Sequence, residues 1–552
     1  MTGRKASQQA RGNAPPDAVV RAAARAPPSS PDAPAHRDAY DGGMTETAPA
    51  APAAPAPHAA PAWARDAICW QVYPLGFCGA PRHREDLTGE TYGGADGENV
   101  VHRLRRLAGW LDHLVALGAN VLLLNPIFDS VSHGYDTLEH RRIDPRLGDE
   151  EDFDALVAGC RERGIRLVLD GVFNHISHLH PTARRAIAAG PGTEEGDRIR
   201  WAGTSPYGFE GNDDLVEVDL SDPVIQDRIV EIMSRWLESG ADGWRLDAMY
   251  AAGAEAWAPI LERVRAAHPE AWILGEVIHG EYPDFAAASG ADSITQYELW
   301  KAIWSSLRDG NLFELAHALG RHQGFLEQFR ESGAGALPLT FVGNHDTTRI
   351  ASQLEDGRDL AAAIALLALL PGIPAVYAGD EFGAAAMKEE REGGDDAIRP
   401  WFPGSPDEVV AAHEAADAGD ESPRSLQLLA PAAAGRILEV HQRLLSLRRR
   451  ERWLVTASVA VDEATLTNTW AQIVLTPSAD GLERGADGGT DSAADGAAGE
   501  RPAPLTLVLN LGDEALPAPG AVLEAVSGAD MLDAVGPAAE GTVPAHGIAV
   551  VR

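Results

Sequence analysis

Four short apolar runs in this chain end in groups able to do acid–base or nucleophilic chemistry. Residues 165–169 lead into Asp170, 243–246 into Asp247 by way of Arg245, 271–275 into Glu276, and 337–343 into Asn344-His345-Asp346. A carboxylate against an apolar wall is costly to place. One such residue can cap the helix that follows it, but four at the ends of similar runs point to a shared rim. Arg245 stands two residues before Asp247, and a strand puts i and i+2 on one face. The guanidinium can then hold that carboxylate ionised and aimed, as a nucleophile needs. Glu276 follows an apolar strand and lies beside another carboxylate, surroundings in which a carboxyl keeps its proton and can act as a general acid. A nucleophile paired with an acid is the arrangement for retaining glycoside cleavage, with the carboxyl groups about 5–5.5 Å apart.

Such a rim needs a scaffold, and the rest of the chain supplies the pattern for one. Short apolar runs at 68–73, 121–125, 165–170, 243–247, 271–276, 291–295, 337–342 and 373–377 alternate with helical periodicity at 101–117, 152–162, 223–239, 255–267, a stretch to about 320, and 360–370. Strand–helix alternation predicts a parallel sheet, and eight units predict an α/β fold, a (β/α)8 barrel with its active site at the C-terminal strand ends. The units exceed the length of a plain barrel, so insertions are expected at 176–218, after the third strand, and at 384–432, after the eighth. Past a last helix at 436–450 the pattern changes to short alternating strands at 470–476, 505–511 and 548–552, predicting a C-terminal all-β domain. The expected organisation is an Ala/Pro-rich disordered segment 1–62, a barrel from 63–175 and 219–450 interrupted by the insertion 176–218, and a β domain 451–552 with a flexible Gly/Ala/Asp-rich loop at 478–504.

The segments Asp170-Gly171-Val172-Phe173-Asn174-His175, Gly243-Trp244-Arg245-Leu246-Asp247, Gly275-Glu276-Val277 and Phe341-Val342-Gly343-Asn344-His345-Asp346 resemble, in order, the four signature segments of the α-amylase family of glycoside hydrolases. Supporting segments are Gln71-Val72-Tyr73-Pro74, His133-Gly134-Tyr135-Asp136, and Gly372-Ile373-Pro374 through Gly379-Asp380-Glu381. The resemblance covers the chain from about residue 67 to its end. It implies Asp247 as nucleophile, Glu276 as acid/base and Asp346 as the third carboxylate, gripping sugar hydroxyls. It implies substrate contacts from His175 and His345, a stacking platform at Tyr135, an organising carboxylate at Asp170, and roles in binding for His133, Asp136 and Arg245. The chain is similar to cyclomaltodextrinases and intracellular maltodextrin-degrading members, which implies a hydrolase of α-1,4-linked maltooligosaccharides or cyclodextrins, with a glucanotransferase as the alternative. Asp247 is followed by Ala248-Met249-Tyr250-Ala251 rather than the Lys-His of many endo-acting secreted amylases, which argues against attack on long starch. No cofactor is required for this chemistry. Asn174 matches a calcium-ligand position of the family, so a calcium ion is admitted there. His175, His178 and His180 lack a Cys or carboxylate to complete a zinc site and read as loop histidines.

Composition narrows the partners. The 552 residues carry 46 Lys plus Arg against 82 Asp plus Glu, a net charge of −36, and so acidic a surface repels nucleic acid and anionic lipid. Three cysteines, Cys69, Cys78 and Cys160, suit reduced thiols better than a disulfide framework. No basic start followed by an apolar stretch opens the chain, and the most apolar run, 360–370, is half the length of a membrane span. A cytoplasmic protein with no membrane partner is expected. Met44-Thr45-Glu46-Thr47 reads as an alternative start, and the sequence leaves the oligomeric state open.

Overall fold

The structure is a computed structural model, which describes residues 59–83, 100–332, 335–391, 393–417, 424–478, 502–537 and 539–552. Eight parallel strands close into a barrel: Cys69–Val72, Val121–Leu124, Arg166–Gly171, Gly243–Leu246, Trp272–Gly275, Ser293–Thr295, Leu337–Phe341 and Ile373–Tyr377, numbered first to eighth below. Each lies within one or two residues of its expected run. The first strand pairs with both the second, Cys69 against Val121, and the eighth, Cys69 against Ala375.

Side-chain parity decides what the barrel holds. Cys69, Val121, Leu123, Val168, Trp272, Leu274, Leu337, Leu339, Phe341, Ile373 and Ala375 form one buried cluster inside the barrel. Their neighbours Trp70, Leu122, Leu124, Leu167, Leu169, Trp244, Leu246 and Ile273 join a second cluster with the surrounding helices. With a period of two along each strand, the inward set continues through Gln71, Asn125, Asp170, Arg245, Asp247 and Glu276. Polar groups therefore end the inward rows at the C-terminal rim, above an apolar floor.

Helices are started by local chemistry. The Asp222 carboxylate accepts from the Val224 and Ile225 amides with Pro223 in the first turn of Pro223–Glu238, and Asp149 and Asp152 form a capping box on Glu150–Glu162. All ten residues of Leu360–Leu369 are buried, as expected of a core helix rather than a membrane span. Two expectations change in detail. The 101–117 segment is a 3-10 stretch, Arg103–Trp110, that passes into an α-helix, Leu111–Leu117. The stretch to about 320 is two helices, Tyr297–Arg308 and Leu312–Glu331, separated where Gly310 takes a left-handed φ of 58°.

The insertion after the third strand builds a three-stranded antiparallel sheet from His175–Ser177, Asn212–Glu217 and Gly208–Phe209, with the helix Pro181–Ala189 beside it. The insertion after the eighth strand contains the helix Val409–Asp417. At the C-terminal end Ser458–Val461, Trp470–Thr476, Leu505–Asn510, Gly547–Val551 and Val522–Ser527 make a five-stranded antiparallel sheet, in that order, within the same compact unit as the barrel. The boundary expected at residue 62 moves toward the N-terminus. Residues 59–62 are placed, Pro61 is buried, and Ala62–Asp66 forms a 3-10 turn anchored by Trp63, which packs edge-on against Trp272 at 5.9 Å. Residues 1–58 and 479–501, which carry nearly all of the expected disordered segment and flexible loop, lie outside the described residues.

Candidate active site

Arg245 is the hub of the rim. It is buried, and its Nη1 donates to both oxygens of Asp170 at 2.7 and 2.6 Å and to Asp247 Oδ1 at 3.1 Å, while Nη2 lies 2.8 Å from Glu276 Oε1. One guanidinium thus serves three carboxylates from the third, fourth and fifth strands. Asp170 takes two further donors, Asn125 Nδ2 at 3.0 Å and the Tyr135 hydroxyl at 3.1 Å. Glu276 accepts from the Ala248 amide at 2.8 Å and from the Tyr297 hydroxyl at 3.1 Å, and Asn344 Nδ2 in turn donates to Tyr297 at 3.0 Å. Among the described residues the Asp247 side chain has Arg245 as its one hydrogen-bond donor.

These environments separate the carboxyls. Burial, and then the charge of Glu276, push Asp247 well above the ordinary carboxylate range, with Arg245 pulling the other way. Asp346 goes the opposite way. Burial would raise it, but His345 beside it, together with Arg399 and Lys388, outweighs that and holds it well below the ordinary range. Arg399 Nη2 lies 2.8 Å from Asp346 Oδ1, its Nε donates to the His345 carbonyl at 2.8 Å, and its guanidinium sits 4.7 Å over the Tyr73 ring. Asp395 binds both cations, Arg399 at 3.1 Å and Lys388 at 3.2 Å.

Of the residues singled out from sequence, Asp170, Arg245, Asp247, Glu276, Tyr135, His345 and Asp346 meet in one network. His345 is fully buried. Its Nδ1 faces Gln71 Nε2 at 3.1 Å, and its Nε2 faces the Tyr135 hydroxyl, Asn125 Nδ2 at 3.3 Å and Asp346 Oδ2 at 2.9 Å. The Tyr135 ring lies parallel to His345 with centroids 5.4 Å apart. His175 stacks on Phe209 at 4.3 Å and puts Nε2 3.8 Å from Asp247 Oδ2, with no hydrogen-bond partner at that nitrogen. Burial pushes it down to about 3, so it stands neutral beside the nucleophile. His133 and Asp136 do not touch the three carboxylates. Asp136 accepts from the Ser132 amide and hydroxyl, and His133 Nδ1 accepts from the Tyr135 amide, so both shape the loop that presents Tyr135. His180 caps the helix Pro181–Ala189, and His178 faces Asp214.

Asn174 is buried with its amide 3.5 Å from His175 Nδ1. Among the described residues the three metal-ligating side chains that converge are His102, Asp149 and Asp152, which leave Asn174 out and are already engaged as a helix cap with Arg105 on Asp152. Among the described residues no group of three His, Cys, Asp or Glu side chains converges on Asn174. The residues missed from sequence are Tyr297, Arg399 and Lys388. Tyr297 continues the inward row Ser293, Thr295 and was legible by parity. Arg399 and Lys388 sit in the long insertion after the eighth strand, which carries no periodic signal.

The family described as "Alpha amylase, catalytic domain" matches residues 103–198 and 201–402. The cyclomaltodextrinase of a Bacillus species is 29% identical over 350 residues, 58% of this chain and 60% of that protein. An intracellular maltogenic amylase of Bacillus subtilis is 28% identical over 352 residues, 59% and 56% of the two. The matched part spans less than two thirds of the length of these relatives. The cyclic alpha-maltosyl-(1-->6)-maltose hydrolase from Arthrobacter globiformis has a similar structure, with a TM-score of 0.63 and 22% identity, covering 89% of this chain and 100% of that one. The alpha-amylase from H. orenii superposes with a TM-score of 0.61 and 20% identity over 88% and 98%. At that identity the likeness is one of fold. With the matched residues making up more than half the chain and the four strand-end segments gathered on one rim, the protein belongs to the α-amylase family.

Proposed function

We propose that the protein is a retaining hydrolase of α-1,4-linked maltooligosaccharides or cyclodextrins. The observation that carries the reading is Arg245 holding Asp247 at 3.1 Å and Glu276 at 2.8 Å on adjacent strands. Asp247 attacks the anomeric carbon while Glu276 protonates the departing glycosidic oxygen. Glu276, now ionised, takes a proton from water as the glycosyl–Asp247 ester is hydrolysed. Asp346, kept ionised by His345, Arg399 and Lys388, grips sugar hydroxyls and stabilises positive charge at the anomeric carbon. The substrate class is supported by the names of the relatives and by the absence of a Lys-His pair after Asp247. Among the described residues no helix is long and apolar enough to cross a membrane, and we place the enzyme in the cytoplasm.

The test is a product time course with maltotriose, maltoheptaose, β-cyclodextrin, pullulan and soluble starch, with Asp247→Ala and Glu276→Gln as controls. Fast opening of cyclodextrin, slow attack on starch and a loss of several orders of magnitude in both variants are expected. An Asp247→Ala enzyme within tenfold of the native one refutes the assignment. Sugars longer than the substrate as main products would make it a transferase.

A further inference from the structure

A second buried arginine stands behind the rim and takes no part in the chemistry above. Arg349 lies in the loop after the seventh strand, shortly past Asp346, and Asp380 follows the end of the eighth. Both are buried, at 1% and 3% exposure. Arg349 Nη1 donates to Asp380 Oδ1 and to the Ala378 carbonyl, both at 2.8 Å, and the guanidinium lies 4.0 Å over the Tyr377 ring. Its Nη2 donates to the Ile398 carbonyl at 3.0 Å, and the Tyr377 hydroxyl donates to that same oxygen at 3.0 Å. Backbone groups make the same connection, with the Arg349 amide donating to the Ala386 carbonyl at 3.1 Å and the Lys388 amide to the Thr348 hydroxyl at 3.0 Å. The loop after the seventh strand, the end of the eighth and the insertion that follows it are thus clasped at one point.

Net stability is a poor account of this clasp. The desolvation of a buried ion pair offsets most of its attraction, and here Asp380 Oδ2 and Arg349 Nε find no hydrogen-bond partner among the described residues. Burial pushes Asp380 up to about 6 against the pull of Arg349. What the pair supplies is position. A Cβ on Gly343 would come within 2.9 Å of Asp380 Oδ2, so glycine there lets the end of the seventh strand lie against that carboxylate. Ile398, whose carbonyl takes two donors, immediately precedes Arg399, so the peptide from which Arg399 projects is tied to the eighth strand. From there Arg399 reaches Asp346 at 2.8 Å. The charged groups that meet Asp346 are His345, Arg399 and Lys388, with Asp395 behind both cations and Asp247 across the rim. The three that hold Asp346 ionised come from the two segments that Arg349 joins.

We propose that Arg349, anchored by Asp380 and assisted by Tyr377, is a positioning residue that fixes the Ile398–Arg399 peptide and so aims Arg399 at Asp346. This rests on the retaining reading above, in which Asp346 must be ionised to grip the sugar. Arg349 touches neither substrate nor the reacting carboxyls, and it acts through Arg399. Its removal frees the insertion from the seventh-strand loop, draws Arg399 away from Asp346 and lets burial raise that carboxyl.

The experiment measures kcat/KM against pH on β-cyclodextrin and maltotriose for the native enzyme, Arg349→Met, Tyr377→Phe, Arg399→Met and the double variant Arg349→Met/Arg399→Met, with a thermal melt of each. Tyr377→Phe keeps the ring beneath the guanidinium and removes one of the two donors to Ile398, so it leaves the fold intact and decides the question alone if Arg349→Met does not fold. Arg349→Met is expected to lower kcat/KM at pH 7 about tenfold and Tyr377→Phe about threefold, both with the acid limb displaced upward. In the Arg399→Met background the Arg349 change should add less than about twofold, because the group it positions is gone. A purely structural role would lower Tm and leave the limb in place. An acid limb at its native pH in either single variant, or losses that multiply in the double variant, overturns the proposal. A native enzyme that opens neither sugar overturns the retaining reading instead, and crystal structures of the two single variants then decide the positioning: Arg399 drawn away from Asp346 supports it, and Arg399 in its native place overturns it.

Discussion

Replacing Arg245 with Met tests the hub of the site. The substitution keeps much of the buried stem and removes the charge that serves three carboxylates. Asp170 would retain Asn125 and Tyr135, and Glu276 would retain the Ala248 amide and Tyr297, but Asp247 would lose its one donor. With charge centres about 4 Å apart and an effective dielectric of about 20, the Arg245–Asp247 attraction amounts to about 4 kcal/mol, roughly a thousandfold in the ionisation equilibrium. Arg245 lowers the Asp247 value. Its loss raises that value further, so a smaller fraction of the enzyme holds an ionised nucleophile at neutral pH. The acid limb of kcat/KM against pH moves to higher pH, and kcat at pH 7 falls by about 10³. Breaking a buried ion pair by removing one partner costs about 3–5 kcal/mol. In a chain of this size that lowers Tm by about 3–5 K, at about 1 kcal/mol per K. The assays are a pH–rate profile on β-cyclodextrin and a thermal melt. An acid limb in its native place, or a kcat within tenfold of native, refutes the reasoning, because Asp247 would then be held ionised by something other than Arg245.

Arg399→Met is expected to raise Asp346 toward the ordinary range and to reduce kcat/KM about 100-fold with an acid limb displaced upward. Arg399→Lys keeps the charge and restores the limb's position, and equal profiles for the two variants would refute an electrostatic role. His322 is buried with Nε2 facing the Pro371 carbonyl, and burial pushes it down to about 4. Between pH 6.5 and about 4 the unfolded state binds a proton at this residue that the native state does not. Stability present above pH 6.5 is therefore lost as pH falls through that window, by up to about 3 kcal/mol. His322→Gln should flatten this part of the Tm–pH curve, and an unchanged slope would count against it. With no cluster of His, Cys, Asp or Glu side chains at Asn174 among the described residues, treatment with EDTA followed by dialysis should leave Tm within about 1 K, and a larger loss restored by calcium would show that a calcium ion is held there.

The barrel was legible because each strand is a short apolar run with turn residues on either side, and because parity carries chemical information along it. Arg245, Asp247 and Glu276 could be placed inward from spacing alone, and Tyr297 would have been found by extending the same count from Thr295. The insertions were less legible for a physical reason. Gly208–Phe209 is two residues long, too short for any period, and Pro181–Ala189 buries only Thr182, Ala183 and Ala186, too narrow a stripe to stand out. Arg399 reaches Asp346 across 53 residues, a pairing decided by how a long loop folds back over the rim. His133 and Asp136 were placed in the right loop, but their side chains bond within it.

The charges on the rim are divided between two sources, and the division assigns the chemistry. Asp170, Asp247 and Glu276 draw on the single cation Arg245, which is fewer positive charges than negative, so burial and the charge of Glu276 prevail at Asp247 and push it above the ordinary range. Asp346 shares Arg399 and Lys388 with Asp395 and has His345 beside it, so charge prevails over burial and the carboxyl is held well below the ordinary range. Asp247 and Asp346 are driven in opposite directions in this way, which separates their roles. The first cation belongs to a barrel strand and cannot move without disturbing the sheet. The second belongs to the insertion after the eighth strand, which can change in length and sequence while the strand holds. Variation there would alter the grip on the sugar and the acid limit of activity and leave the nucleophile and its acid in place.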